Sequence, residues 1–127
     1  MSKLKVLIAD DDRAVHKMYA HGLLDDLYEK KIVVNGQEAL EVFESWRPDV
    51  VVLDIMMPIM SGYQTLKAIR DKEKGSKKPT PVVMVTALAS KNDIMDCIKL
   101  GIQGYLVKPV KPHELAEKLE SCCSRDE

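Results

Sequence analysis

Short runs of apolar residues recur along the chain, and each ends at a polar residue or at a turn-forming residue. Runs of this length are typical of strands that are buried on both faces, as in a parallel sheet. The run Val50–Leu53 leads into Asp54, and Pro58 then ends the pairing because it has no N–H to give to a sheet ladder. The pattern predicts strands at residues 5–9, 32–34, 50–53, 82–85 and 105–107.

Segments with a helical spacing of apolar residues lie between these runs. Val15, Met18, Tyr19 and Leu23 recur at the spacing of one helix face after the first strand. Each later helix is preceded by a residue whose side chain can accept from a free N–H group of the first turn, or begins with a proline, whose missing N–H costs little there. These residues are Asn35 with Glu38 and Ser61 with Gln64, which resemble capping boxes, then Ser90 and Pro112.

The elements alternate, strand then helix, five times over. This alternation predicts an α/β fold with a flavodoxin-like, doubly wound sheet of five parallel strands and helices on both faces. We expect the strand order 2-1-3-4-5. The helix after Ser90 is expected to point Ile94, Cys97 and Ile98 inward, and the last helix to bury Leu115, Leu119 and Cys122.

Composition mainly excludes classes of function. The 127 residues are the size of one domain, and we expect a single domain over residues 1–127. A net charge of −1 gives no electrostatic reason to bind nucleic acid or an anionic membrane, and no apolar run approaches a membrane span. The chain begins without the long apolar region of a signal peptide, and its three cysteines lack metal-type spacing. We therefore expect reduced thiols and a cytoplasmic location.

Four of the five predicted strands lead into a residue that can take part in chemistry. All carboxyl ends of parallel strands lie along one edge, and the expected strand order makes strands 1 and 3 neighbours, so their aspartates converge. Converging carboxylates repel one another unless a cation neutralises them, and oxygen ligands of this kind suit Mg²⁺. The residues at this edge are Asp10 and Asp11 after strand 1, Asp54 after strand 3, Thr86 after strand 4 and Lys108 after strand 5.

Taken singly, each of these residues could be a cap or a turn residue. Taken together, they supply an aspartate nucleophile, a hard metal ion, a cation for a phosphoryl group in Lys108 and a hydroxyl donor in Thr86. This combination describes phosphoryl transfer through an aspartyl-phosphate.

Over essentially its whole length, the chain resembles a response-regulator receiver domain of two-component signalling, similar to the chemotaxis regulators. Any one of the matching pieces is weak evidence, but all of them at these separations are specific. The pieces are the acidic residues 10–12, the stretch 53–58 followed by Gly62, the pair Thr86 and Ala87, and Tyr105 three residues before Lys108 and Pro109.

The resemblance implies how the acidic residues act. Asp54 is expected to accept the phosphoryl group from the phosphohistidine of a sensor histidine kinase or a histidine phosphotransfer protein. Asp11, Asp54 and the backbone carbonyl of Met56 are expected to bind Mg²⁺, with Asp10 acting through water. Mn²⁺ is expected to substitute for Mg²⁺.

The resemblance also implies roles for the residues at the ends of strands 4 and 5. Lys108 is expected to pair with the phosphate, and its peptide bond to Pro109 to be cis, which costs little before proline. Thr86 and Tyr105 are expected to be switch residues, with Thr86 turning toward the phosphate and Tyr105 rotating inward behind it.

Phosphorylation is expected to change partner binding through the face formed by the helix after Ser90, strand 105–107 and the helix after Pro112. The downstream effector or output domain is left open. We expect no direct nucleic-acid binding by this domain, no membrane contact, and a monomer or a weak phosphorylation-dependent dimer. The domain is expected to be a phosphoacceptor that assists its own phosphorylation and dephosphorylation rather than an enzyme.

Two alternatives share the aspartate chemistry. A magnesium-dependent phosphatase of the haloacid-dehalogenase type carries a second aspartate two residues after the nucleophile, where this chain has Met56. A degenerate receiver that no longer takes phosphate is disfavoured because Asp11, Asp54, Thr86 and Lys108 are all present.

Three other features lie near or outside the motif. Met56 and Leu88, two residues past Asp54 and Thr86, are apolar where other members often carry polar residues that position water. We interpret His16, His21 and His113 as surface or helix-end residues, and Trp46 as core packing rather than a ligand platform.

Overall fold

The structure is a computed structural model that describes residues 3–87 and 90–123. Within these residues all strand pairs are parallel in the order β2-β1-β3-β4-β5, which confirms the predicted fold class. No helix in the described part of the chain is long and apolar enough to cross a membrane. The elements are β1 (Leu4–Ala9), α1 (Arg13–Gly22), β2 (Tyr28–Val33), α2 (Gly36–Trp46), β3 (Val50–Leu53), α3 (Gly62–Lys72), β4 (Val82–Thr86), α4 (Lys91–Leu100), β5 (Gly104–Val107) and α5 (Pro112–Cys122).

All four residues of the central strand β3 are buried. Because successive side chains of a strand point to opposite sides of the sheet, β3 is buried on both faces. Val50 and Val52 join side chains of α1 and α5 in one core cluster, whereas Val51 and Leu53 join those of α2, α3 and α4 in the other. Burying a Val or Leu side chain contributes roughly 1.5–3 kcal/mol. The four residues of β3 therefore hold the start of the following loop, and with it Asp54, in place.

Side-chain caps set the starts of α2 and α3. The Ser61 hydroxyl accepts from the Gln64 amide at 3.1 Å and Gln64 Oε1 accepts from the Ser61 amide at 2.9 Å, so the predicted capping box is present. Asn35 accepts from the Glu38 amide at 2.9 Å, but the Glu38 carboxylate accepts from the amide of Val34 instead of Asn35. The capping box at Asn35 is therefore half formed, and the Glu38 side chain instead bonds the backbone of Val34, the residue just past β2.

The second strand begins at Tyr28, four residues before the predicted start at Ile32. β2 is an edge strand that pairs with β1 alone among the described strands. Its first half contains three consecutive charged residues, Glu29, Lys30 and Lys31, of which Glu29 and Lys31 face solvent, so the strand has no continuous apolar run. Only its apolar carboxyl end, Ile32 and Val33, lies within the predicted strand.

Helix α4 buries less than predicted. Cys97 is buried as expected and Ile94 is half-buried, but Ile98 is 48% exposed, so the inward placement of Ile98 is wrong. Adjacent residues are about 100° apart around a helix, so Cys97 and Ile98 cannot both face the same narrow contact. In α5, Leu115 and Leu119 are buried as predicted, whereas Cys122 is half-buried.

The turn from β3 to α3 leaves no room for a side chain at Gly62. The Gly62 amide donates to the Ile55 carbonyl at 2.9 Å. A Cβ at Gly62 would lie 2.1 Å from the backbone oxygen of Asp54. The first turn of α3 is thus pressed against the backbone of Asp54, and Gly is required by this close approach.

Gly62→Ala is expected to lower the free energy of unfolding, because the added methyl group forces the backbone of the β3–α3 turn to move. Overpacking of this kind costs about 1–3 kcal/mol. Urea denaturation followed by circular dichroism measures the loss. Lys91→Ala is the control, since Lys91 is the first residue of α4 and is exposed. We expect a change within about 0.5 kcal/mol for the control. A Gly62→Ala protein as stable as the wild type would contradict this close packing.

Candidate functional site

The carboxyl ends of four strands place the polar residues at one edge of the sheet. Asp10 follows β1, Asp54 follows β3, Thr86 ends β4 and Lys108 follows β5. The ladders extend one residue beyond the strands, because the Asp10 amide donates to Val33 O and the Asp54 amide donates to Ala9 O, each at 3.0 Å. The backbone therefore fixes both aspartates before their side chains make any contact.

The ammonium group of Lys108 is shared by two carboxylates. Its Nζ lies 2.8 Å from Asp10 Oδ2 and 2.8 Å from Asp54 Oδ2. All three side chains are largely buried, so these ion pairs are weakly screened by solvent. Lys108 therefore joins the ends of β1, β3 and β5.

The carboxylate of Asp10 has donors on both oxygens. Asp10 is 0% exposed, and its Oδ1 accepts from the Asp12 amide at 2.9 Å. Its Oδ2 accepts from the hydroxyl of Tyr19 at 3.2 Å in addition to Lys108. A buried carboxylate needs such partners because its desolvation is costly.

The carboxylate of Asp54 has a partner on each oxygen as well. Oδ1 accepts from the Met56 amide at 3.1 Å, and Oδ2 accepts from Lys108 Nζ at 2.8 Å. The side chain is buried at the end of β3, at the edge where α/β sheets bind ligands. Its position and its neighbours suit a nucleophilic carboxylate.

Asp11 completes an acidic cluster that fits a divalent cation. Carboxylate oxygens of Asp10, Asp11 and Asp54 lie within 4.8 Å of one another, and Asp11 is the exposed member. With Lys108 included, three carboxylates and one ammonium leave two formal negative charges. A set of hard oxygen donors with this charge has the chemistry of a Mg²⁺ site.

The other predicted site residues lie around this cluster. The buried Thr86 accepts from the Lys108 amide through its backbone carbonyl at 2.9 Å. Tyr105 on β5 is 42% exposed, so its side chain lies at the surface. Met56 is 62% exposed. The peptide bond between Lys108 and Pro109 is cis. Leu88 lies outside the described residues.

Two side chains of α1 that contact Asp10 were not predicted as site residues. Tyr19 was expected only to be a core residue, which it is, but its hydroxyl also reaches the Asp10 carboxylate. His16 was expected to be a surface or helix-end residue; it is half-buried near the start of α1, and its Nε2 lies 2.6 Å from the Asp10 carbonyl oxygen, a contact that was not predicted. His21 and His113 are exposed as predicted. A tyrosine on an inward helix face is itself a signal, because a buried hydroxyl usually has a partner.

The electrostatics of the site affect two pKa values. Burial, together with the charge of Asp10, raises the pKa of Tyr19 well above its ordinary value, so the hydroxyl remains a donor. Burial alone would lower the pKa of Lys108, but the hydrogen bonds and charges of Asp10 and Asp54 outweigh it and raise the pKa. Lys108 is thus a firmly held cation between two carboxylates.

Comparison with known proteins identifies the family of this chain. The family described as "Response regulator receiver domain" matches residues 6–120. The chain belongs to this family. Receiver domains are phosphoacceptor switches of two-component signalling that bind Mg²⁺ through an acidic cluster, receive phosphate from histidine kinases and act on output partners.

Individual relatives of this receiver domain agree with the assignment. "Probable transcriptional regulator ycf27" of Guillardia theta is 36% identical over 124 residues, covering 98% of this chain and 47% of the relative. The receiver domain spans about half the length of that relative and of the ycf27 relatives from Porphyridium aerugineum and Cyanophora paradoxa.

Solved structures have the same fold. The chemotaxis response regulator CheY4 of Vibrio cholerae is 34% identical with a TM-score of 0.82, over 94% of this chain and 98% of that one. The complex of CheX, CheY, BeF₃ and Mg²⁺ from Borrelia burgdorferi matches at 26% identity with a TM-score of 0.83, over 94% of this chain and 88% of that one.

Lys108 is expected to retain its proton above pH 10.5, the ordinary pKa of a lysine. Because its pKa is higher in the folded protein, its contribution to stability is complete below the unfolded-state pKa and is lost as the pH rises through the folded pKa. NMR of the lysine Cε and Nζ atoms measures the titration directly. Asp54→Asn should lower the pKa of Lys108 toward the ordinary value.

Asp71→Asn is the control for this titration, because Asp71 lies on α3 and has its ion pair with Lys74. The control should leave the titration of Lys108 unchanged. A Lys108 that loses its proton below pH 10.5 in the wild type would contradict the two short ion pairs.

Proposed function

We propose that this receiver domain accepts a phosphoryl group on Asp54 from a phosphohistidine, in a Mg²⁺-dependent reaction that changes partner binding. The observation that carries the proposal is the position of Lys108 Nζ, 2.8 Å from both Asp10 and Asp54 beside the acidic cluster. A nucleophilic carboxylate, a metal-binding set and a phosphate-binding cation then lie together at one sheet edge.

The cation would be held by the carboxylates of Asp11 and Asp54 and by the backbone carbonyl of Met56, with Asp10 acting through water. The cluster supports Mg²⁺ and also Mn²⁺, since both accept carboxylate and carbonyl oxygens. When bound, Mg²⁺ neutralises charge on the phosphoryl oxygens. Asp11 is accessible for this binding because it is the exposed member of the cluster.

Asp54 performs the transfer. One carboxylate oxygen forms the new O–P bond while the P–N bond to the donor imidazole breaks. The electron pair of the P–N bond returns to the imidazole nitrogen. The Met56 amide, 3.1 Å from Oδ1, holds the carboxylate in one orientation. Burial of Asp54 in the fold limits its motion further.

Lys108 and Thr86 then hold the product. The ammonium group already contacts Oδ2 of Asp54, so it can follow the negative charge onto the phosphoryl oxygens with a short movement. Thr86 lies at the end of the neighbouring strand, and its hydroxyl would donate to the phosphoryl group. Tyr105, exposed on β5 in this structure, would rotate inward behind Thr86.

The phosphoryl donor would be a sensor histidine kinase or a histidine phosphotransfer protein. A groove of about 540 Å³ runs beside Lys108 between α1 and the loop after β5. Its apolar lining includes Val15, Met18 and Val110. An apolar surface next to the phosphoacceptor is suited to a helix that presents a phosphohistidine.

The output would pass through the face formed by α4, β5 and α5. Exposed apolar residues on this face are Met95, Ile98, Tyr105 and Val107. Their exposure favours a partner surface. Val107 pairs with Thr86 and precedes Lys108, so β5 connects this surface to the site. A downstream effector or an output domain would bind there, with the domain a monomer or a weak phosphorylation-dependent dimer in the cytoplasm. We propose no direct nucleic-acid binding and no membrane contact for this domain.

The domain would assist its own phosphorylation and dephosphorylation without being an enzyme in the ordinary sense. A phosphatase of the haloacid-dehalogenase type would need a general acid two residues after Asp54. Met56 occupies that position and has no acidic group.

Incubation with acetyl phosphate and Mg²⁺ is expected to add the mass of one phosphoryl group, detected by intact mass spectrometry. Asp54→Asn should abolish the addition because the nucleophile is lost. Asp11→Ala should abolish it because Mg²⁺ loses a ligand. Asp71→Asn is the control on a surface helix and should be labelled like the wild type.

Labelling of Asp54→Asn, or labelling of Asp11→Ala at the wild-type rate, would contradict the assignment of these roles. Rapid release of inorganic phosphate from many substrates would instead favour the phosphatase.

Self-dephosphorylation is expected to be slow, because Met56 and Leu88, two residues past Asp54 and Thr86 in the sequence, have no polar group that could orient the attacking water by a hydrogen bond. Met56→Asn should speed the loss of phosphate on the order of tenfold, about 1.4 kcal/mol in the barrier. Phosphate release after removal of the donor measures the rate. The affinity for Mg²⁺ should change little, since only the backbone of Met56 is expected to bind it.

Leu24→Asn is a matched control, since Leu24 is an exposed apolar residue in the connection between α1 and β2. Its phosphate lifetime should equal that of the wild type. If Met56→Asn loses phosphate no faster than the Leu24→Asn control, the residue two past Asp54 does not set the lifetime.

A further inference from the structure

Tyr19 is a buried polar group that the proposed phosphotransfer does not use. It lies on the inner face of α1, is 1% exposed, and packs in the core cluster with Ile8 and Leu23. Its hydroxyl donates to Asp10 Oδ2 at 3.2 Å. A phenylalanine would fill nearly the same apolar space, so the specific contribution of a tyrosine here is the hydroxyl group.

The hydroxyl gives Asp10 a donor that does not depend on Lys108. Asp10 Oδ2 has two donors, the Tyr19 hydroxyl and Lys108 Nζ at 2.8 Å, and the second is shared with Asp54. Oδ1 is held from the other side by the Asp12 amide at 2.9 Å. If Lys108 moves toward a phosphoryl group on Asp54, Tyr19 and the Asp12 amide still hold the Asp10 side chain.

Helix α1 also holds the backbone of Asp10. Nε2 of His16 lies 2.6 Å from the Asp10 carbonyl oxygen. Two side chains of one helix therefore contact the same residue, one at its backbone and one at its carboxylate. This arrangement leaves Asp10 little freedom to adopt a different rotamer.

We propose that Tyr19 is a positioning residue for the divalent cation, which acts by holding the carboxylate of Asp10 toward the cation site. The inference rests on the proposed function, since it assumes that Asp11 and Asp54 bind Mg²⁺ and that Asp10 acts on the ion through water. Groups that orient a metal-binding side chain commonly change metal affinity by 10-fold or more when they are removed.

Tyr19→Phe is expected to weaken Mg²⁺ binding on the order of tenfold, because the orientation of Asp10 is no longer fixed by the hydroxyl. Titration with MgCl₂ at constant ionic strength, followed by ¹H–¹⁵N NMR of residues 10–13, measures the affinity without phosphotransfer. Thermal unfolding of the metal-free proteins checks that each variant is folded.

Tyr28→Phe is the matched control. Tyr28 is also a buried tyrosine, and its hydroxyl donates to Glu120 Oε2 at 2.5 Å, at the other end of the same core cluster. Loss of this hydroxyl should leave the Mg²⁺ affinity within twofold of the wild type. A purely structural role for Tyr19 would instead make the two variants alike in the Mg²⁺ titration.

A double-mutant cycle tests whether Tyr19 acts through Asp10. In an Asp10→Ala background, Tyr19→Phe should cause no further loss of Mg²⁺ affinity, because the hydroxyl has no carboxylate to hold. An equal loss in both backgrounds would overturn the proposal, as would a Tyr19→Phe protein that binds Mg²⁺ like the wild type. Failure of the wild type to bind Mg²⁺ would instead overturn the proposed function.

Discussion

The shared ammonium group of Lys108 is the interaction on which the site depends. Asp10 and Asp54 are buried carboxylates at the ends of adjacent strands, and each lies 2.8 Å from Lys108 Nζ. Desolvation of a carboxylate costs several kcal/mol, and removing one partner of a buried pair typically costs about 3–5 kcal/mol. Lys108 therefore allows two carboxylates to lie together without a metal ion. Asp11 adds a further, accessible charge, so the cluster as a whole still attracts a divalent cation.

The same residue connects the site to the surface proposed for output. The Lys108 amide donates to the Thr86 carbonyl, so the ends of β4 and β5 are joined at the backbone. Tyr105 lies three residues earlier on β5 with its side chain at the surface, and α4 has Cys97 as its buried residue. A ligand shifts only those elements that it contacts differently in two states. Movement of Lys108 and Thr86 toward a phosphoryl group would therefore act on the face formed by α4, β5 and α5.

Sequence patterns predicted the features that depend on the backbone. Continuous apolar runs identified the central strands, and parallel topology then brought Asp10, Asp11, Asp54 and Lys108 to one edge. The edge strand β2 was found only in part, because three consecutive charged residues, Glu29, Lys30 and Lys31, occupy its first half. The contact of Tyr19 with Asp10 was not predicted, since helical spacing shows that a residue points inward but does not identify what its hydroxyl will meet.

Beryllofluoride, a mimic of the phosphoryl group, tests the link between Asp54 and the output face most directly. In the presence of Mg²⁺, it should change the NMR chemical shifts of residues 86–92 and 101–111, and Asp54→Asn should abolish these changes. Changes confined to α1 and α2, or the same changes in Asp54→Asn, would contradict the proposed connection from the phosphoacceptor through Thr86 and Lys108 to α4, β5 and α5.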